Sequence, residues 1–223
     1  MSLATISELL PSLLHELRNP LAAITSSVEL LVEETVPGEL QAELSAILAE
    51  LRRMDLGFQG LGMIGRRLRA LRPQPMEPSL QDVVRVMRIP AGRAGVILRL
   101  DVEPMPLLPF NGAVVRAMLF NLLNNAIAAC REGDEVRVRG RLVEGDRGFE
   151  LTVSDTGAGM SPEVLARCTE PFFSTRTHAT GLGLAMCHEA VERAGGRMAV
   201  ASTSGRGTRV VLTVPLEDPG NSA

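Results

Sequence analysis

Two long apolar stripes separated by a turn constrain this chain more than any other feature. Leu3, Ile6, Leu10, Leu13, Leu17, Leu21, Ile24, Val28 and Leu31 recur at alternating intervals of three and four residues. A second stripe runs through Leu40, Leu44, Ile47, Leu51, Met54, Phe58, Leu61 and Leu68, with Gly65 in the slot between the last two. Such spacing lays a heptad-like apolar seam along one face of a helix. Val36-Pro37-Gly38 supplies turn chemistry between the two. The pattern therefore predicts an α helical hairpin over residues 1–72. Two helices alone cannot bury both seams, but a second copy closes a dimeric four-helix bundle that does. Gly57, Gly60, Gly62 and Gly65 weaken the second helix, each costing roughly 1 kcal/mol relative to alanine. They fit either close packing at small residues or a softened lower stem.

Pro73, Pro75 and Pro78 cannot continue that helix, so residues 73–78 are expected to be the interdomain linker. Ser79 then reads as the N-cap of a helix through about Met87. Beyond it the pattern changes from seams to a mixture. Strands are expected over 96–102, 135–143, 148–154, 197–201 and 208–215, with helices over 111–131 and 183–194. Strands and helices in that order predict an α/β two-layer sandwich over residues 79–217, followed by a disordered tail, 218–223.

Composition narrows the possible roles. The chain has 223 residues, 45% hydrophobic, enough for one large domain or two small ones. Its net charge of -3 and lack of an arginine-rich run argue against nucleic acid as a partner. Every basic residue is arginine, so no lysine can serve as a phosphate ligand. Cys130, Cys168 and Cys187 are widely spaced without CxxC pairing, as expected of reduced thiols. No apolar run approaches the ~20 residues of a membrane span. A soluble, cytoplasmic chain without membrane contact is the expectation.

Several short motifs carry chemistry. His15 lies two residues from both Leu13 and Leu17; at ~100° per residue it points away from the seam. Glu16 is an adjacent carboxylate able to take a proton from the imidazole. Asn19 sits one turn on, along the same face. Pro20 cannot donate to the Glu16 carbonyl, so the helix should bend there. Asn121 and Asn125 lie one turn apart on an otherwise apolar helix, a costly placement unless they have partners. They either cap a neighbouring loop or offer oxygen to a cation such as Mg2+. Asp155-Thr-Gly157-Ala-Gly159 follows a strand. It is either an ordinary turn or a carboxylate acceptor beside glycines that permit close backbone approach. Gly181-Leu182-Gly183-Leu184 runs into a helix, whose N-terminal amides can face phosphates. The sequence around it is neither a Walker A loop nor a Rossmann fingerprint.

In this order, together with Pro171-Phe172-Phe173, the motifs resemble the catalytic core of a bacterial sensor histidine kinase across nearly the whole chain. The nucleotide motifs resemble the Bergerat-type ATP fold, shared with Hsp90-like chaperones. That resemblance implies autophosphorylation from Mg-ATP, with His15 accepting the phosphoryl group and Glu16 as general base. It implies that Asn19 helps position water for dephosphorylating a response regulator. It makes Asn125 the stronger metal ligand, Asn121 its support, and Asp155 the acceptor for the adenine amino group. Residues 174–180 correspond to a short ATP lid hinged at Phe172 and Phe173. Within it, Arg176 stands where relatives often have lysine, and Thr180 leads into the glycine motif. The implied partners are a second copy and a response-regulator receiver domain. Two rivals share the fold: a phosphotransfer scaffold with a degenerate nucleotide site, and an ATP-driven machine or serine-directed kinase.

Overall fold

The computed structural model describes residues 3–61, 67–143, 145, 147–176 and 179–217, with backbone only for 3–15, 56, 59–61 and 71. Helices α1 (Leu3–Glu34) and α2 (Glu39–Leu61) form the hairpin. Gln41 Nε2 closes the turn by donating to the carbonyls of Val32 (3.3 Å) and Thr35 (3.2 Å). Arg18–Asp55 and Arg52–Glu29, each 2.9 Å, bridge the antiparallel helices. Leu21 and Leu48 are buried between them. Leu17, Ile24 and Leu31 on α1, and Leu40, Ile47 and Met54 on α2, keep between 46% and 60% of their surface exposed. These residues recur every seven positions, so the exposed surface is an ordered seam.

The remaining elements build the sandwich: β1 (Arg69–Gln74), α3 (Met76–Arg93), β2 (Ile97–Val102), β3 (Leu108–Phe110), α4 (Gly112–Ala129), β4 (Glu135–Val143), β5 (Gly148–Asp155), α5 (Pro162–Arg167), α6 (Gly183–Arg193), β6 (Arg197–Thr203) and β7 (Gly207–Pro215). The main sheet has the order β2-β4-β5-β7-β6, with β2 and β4 parallel and the other pairs antiparallel. Val136 and Val138 are buried while Arg137 and Arg139 between and beyond them are exposed. That alternation marks one covered face, onto which the helices pack, and one open face. Asn111 caps α4 through its side-chain oxygen, 3.0 Å from the Ala113 amide. The core centres on α3, α4 and the sheet, where the Phe110 and Phe149 rings stack tilted at 5.7 Å.

Four local expectations change. Residues 73–78 are not an unstructured linker, since they end β1 and begin α3. Pro73 is tolerated because β1 pairs only with β3, in an irregular register. Pro78 is tolerated because it lies in the first turn of α3, where backbone N–H groups lack intrahelical partners anyway. Ser79 is therefore no N-cap; it is buried inside α3 and its hydroxyl accepts from Arg116 at 3.3 Å. The helix also passes Met87 and contains Pro90. Leu68 leaves the helical stripe and is buried in the sandwich core. A Cβ at Gly57 would lie 3.8 Å from Phe120 Cε1, an ordinary van der Waals contact, so α2 packs on α4 there without requiring glycine. Gly62, Gly65 and the 218–223 tail fall outside the described residues.

Candidate functional site

The site forms where β5 ends, against the C-terminus of α4 and the β6–β7 turn. Asp155 closes β5, and its Oδ1 accepts from the Gly157 amide at 3.0 Å and the Thr208 amide at 3.2 Å. Among the described residues no donor reaches Oδ2, which remains available to a ligand. Burial pushes the Asp155 carboxyl above its usual range; the two amide bonds pull the other way, and nearby Asp134 adds to the rise.

The following loop is stapled on both sides. Ala158 donates to the Ala129 carbonyl at the end of α4, and the Gly205 amide donates to Ala158. Met160 donates to Ser202 Oγ at 2.9 Å, and Ser202 in turn contacts the Gly207 carbonyl and Thr208. A Cβ on Gly157 would overlap the Ala129 carbonyl, so this close approach requires glycine. Gly159 is left-handed, with φ 64°.

The glycine motif meets the asparagine helix directly. A Cβ on Gly183 would lie 3.4 Å from Asn121 Cγ. Leu182 is the N-cap of α6 but supplies no side-chain cap, and no acidic residue occupies the first turn. The amides of that turn are therefore oriented to receive an anion. Asn121 and Asn125 are both half-buried, and the Asn121 Nδ2 is buried without an oxygen or nitrogen acceptor. A buried orphan amide next to an uncapped helix suits a polar, anionic ligand with its cation.

The lid segment closes at its base. The Phe172 amide donates to the Gly181 carbonyl at 3.0 Å, and both residues are left-handed, with φ 65° and 66°. Arg167 lies 4.2 Å over the Phe173 ring and pairs with Glu170 at 2.9 Å. Arg176 is exposed, with its amide and carbonyl both held by Ser174 Oγ. Thr180 Oγ1 accepts from Leu182 at 3.4 Å. Thr177 and His178 fall outside the described residues.

The structure thus brings Asp155, Gly157 and Gly159 to the C-terminal end of α4 and the β6–β7 turn, and Gly183 against Asn121 further up the same helix. Glu16 and Asn19 are exposed on α1, and the His15 side chain is outside the described set. Sequence reasoning missed Thr208, Ser202 and the Ala129 carbonyl. Two of the three act through the backbone, which leaves no side-chain signature. The cysteines are protonated thiols: burial raises Cys168, pushes Cys130 to about 11 with help from Asp155 and Asp134, and pushes Cys187 to about 12. Among the described helices only α4 is long and apolar enough to cross a membrane, and it is the core helix of the sandwich.

Comparison with known proteins agrees with this geometry. Residues 5–58 match the His Kinase A (phospho-acceptor) domain. Residues 112–218 match the histidine kinase-, DNA gyrase B-, and HSP90-like ATPase family. The signal transduction histidine-protein kinase AtoS of Escherichia coli is 30% identical over 98% of this chain and 36% of its own length. Sporulation kinase E of Bacillus subtilis is 27% identical over 96% of this chain and 29% of its length. The chain thus spans about a third of these curated relatives. Among solved structures, full-length ShkA in complex with AMPPNP superposes with TM-score 0.63 and 24% identity, over 95% of this chain and 46% of that one. Acinetobacter baumannii AdeS gives 0.57 and 18%, over 91% of this chain and 98% of that one. At these identities the likeness shows the fold. With a phospho-acceptor hairpin joined to an ATPase domain of this type, the chain belongs to the histidine kinases and is the catalytic core of one.

Proposed function

We propose that this core autophosphorylates His15 from Mg-ATP and passes the group to an aspartate on a response-regulator receiver domain. The observation that carries the nucleotide half is Asp155. Its Oδ1 is pinned by two amides and its Oδ2 is left to accept from the adenine amino group. The uncapped α6 N-terminus, reached through Thr180, Gly181, Leu182, Gly183 and Leu184, receives the phosphates. Arg176 supplies a positive charge to the terminal phosphates, and Phe173 anchors the lid base. Asn125, supported by Asn121, offers amide oxygen to Mg2+. The chemistry supplied by the metal when bound is charge neutralisation on the phosphate oxygens.

In the transfer, a His15 ring nitrogen bonds to the γ-phosphorus, the bond to the β-phosphate oxygen breaks, and ADP leaves. Glu16 takes the ring proton. The acceptor aspartate then displaces His15 at phosphorus. Glu16 and Asn19, both exposed, are also placed to support hydrolysis of the regulator's phosphoaspartate.

We infer a homodimer from the seam of Leu17, Ile24, Leu31, Leu40, Ile47 and Met54, which a second hairpin would bury. The core works in the cytoplasm, where ATP and receiver domains are found. Nucleotide titration of wild type against Asp155→Ala tests the carrying observation. Loss of binding supports the reading; unchanged affinity contradicts it.

A further inference from the structure

Ser202 stands on β6 directly across from Thr208 on β7. Its hydroxyl is where three segments around Asp155 meet. It accepts from the Met160 amide at 2.9 Å, donates to the Gly207 carbonyl at 3.0 Å, and lies 2.9 Å from Thr208 Oγ1. Thr208 is buried, and its own amide pins Asp155 Oδ1 at 3.2 Å. A Cβ on Gly207 would overlap the Asp155 carbonyl oxygen, so the β6–β7 turn lies directly against the end of β5.

A serine hydroxyl has one proton and two lone pairs. The Met160 amide can only donate, and the Gly207 carbonyl can only accept. Those two bonds use the proton and one lone pair of Ser202, leaving one lone pair for Thr208. Thr208 is therefore the donor of the hydroxyl pair, and its proton is committed to Ser202. Among the described residues Thr208 Oγ1 makes no other hydrogen bond. That direction matters, because Thr208 is already bonded to Asp155 through its amide. A released threonine proton there can turn to the carboxylate and occupy the acceptor that a ligand needs. Ser202 thus ties the loop after Asp155 to the turn and holds a competing donor away from Oδ2.

We propose that Ser202 is a positioning residue for base recognition, keeping Asp155 Oδ2 fixed and open to the 6-amino group of a purine. The inference rests on the reading above that Asp155 accepts from the adenine amino group. Selection for that amino group is then set from a neighbouring strand, by a side chain that acts through Thr208 and the Met160 amide. Alanine at this position leaves β6 paired with β7 but removes all three hydrogen bonds.

Calorimetric titration of the full chain with ATP and with purine riboside triphosphate, which carries hydrogen in place of the amino group, tests this. Wild type should prefer ATP by about tenfold or more. Ser202→Ala should weaken ATP by about tenfold while purine riboside triphosphate stays within about twofold of wild type, so that the preference collapses. Ser202→Thr, which keeps the proton and both lone pairs, should restore it. If Ser202→Ala fails to give a cooperative thermal transition, Ser202→Cys, with a weak donor and a weak acceptor in the same shape, provides the same contrast. Equal weakening of both nucleotides, or a preference that Ser202→Thr does not restore, would mean that Ser202 only seals the β6–β7 turn and would overturn the proposal. A wild type that binds both nucleotides equally would instead overturn the amino-group reading of Asp155, and this inference with it.

Discussion

In the ATPase domain Phe110, Leu119 and Leu123 are 0% exposed, whereas Ile24, Leu31 and Ile47 of the hairpin keep between 49% and 51% of their surface. Both regions are rich in leucine, isoleucine and valine, yet only one can satisfy them within a single chain. The sandwich closes its core by setting three helices on one face of a five-stranded sheet. The hairpin has only two helices, and among its described residues Leu21 and Leu48 are the hydrophobic side chains buried between them. The lesson concerns where each function gets its rigidity. On the reading proposed above, nucleotide recognition depends on a site that one chain completes, through the staples around Asp155. On the same reading, phosphoryl acceptance sits on a scaffold whose stability is tied to association, and hence to concentration.

Four perturbations break or sharpen that contrast. The largest effect is expected from Gly157→Val, whose side chain has no space beside the Ala129 carbonyl. ATP affinity should fall by roughly a hundredfold or more while sedimentation still reports a dimer. Retained affinity would mean that the stapled loop does not shape the site. Next is Leu119→Ala, a fully buried truncation in α4. It should cost ~3 kcal/mol in denaturant unfolding of the ATPase domain, with a midpoint that does not move with protein concentration. A concentration-dependent midpoint would tie that domain's stability to the dimer after all.

Third, combining Ile24→Glu with Ile47→Glu places charge on the hairpin seam. The dimer dissociation constant should rise by roughly a hundredfold, with ATP affinity within about twofold of wild type. Dimerisation undisturbed by this pair would move the interface elsewhere. The smallest effect concerns Asp155→Asn. Because burial raises the folded carboxyl above its unfolded value, the charged form destabilises the fold at neutral pH. The native state holds its proton more tightly than the unfolded chain, so stability falls as pH rises through the window between the two values. Asparagine keeps the acceptor for both amides and removes the charge. The variant should gain about a degree or two in Tm at pH 7, a gain that shrinks as pH falls toward 4. A Tm gain unchanged by acidification would refute the buried-charge account.

Much of this architecture was legible because periodicity and punctuation agree. The seams gave the hairpin, and the Asp155 and Gly181 motifs gave the ends of β5 and the start of α6. The failures share a physical cause. Pro73, Pro75 and Pro78 look like punctuation, but an edge strand and the first turn of a helix both tolerate proline. β3 has three residues, too few for alternation to show. The partner that pins Asp155 from β7 is the Thr208 backbone amide, which any residue but proline could supply. Local pattern thus located the chemistry, while cross-strand and helix-to-helix contacts, invisible in one dimension, set its orientation.

The most direct test of the central claim is incubation with γ-labelled ATP and Mg2+, comparing wild type with His15→Ala and Asn125→Ala. The account predicts acid-labile, base-stable label on the wild type and none on either variant, with ATP affinity retained in His15→Ala. Label that persists on His15→Ala would place the acceptor elsewhere and contradict the account.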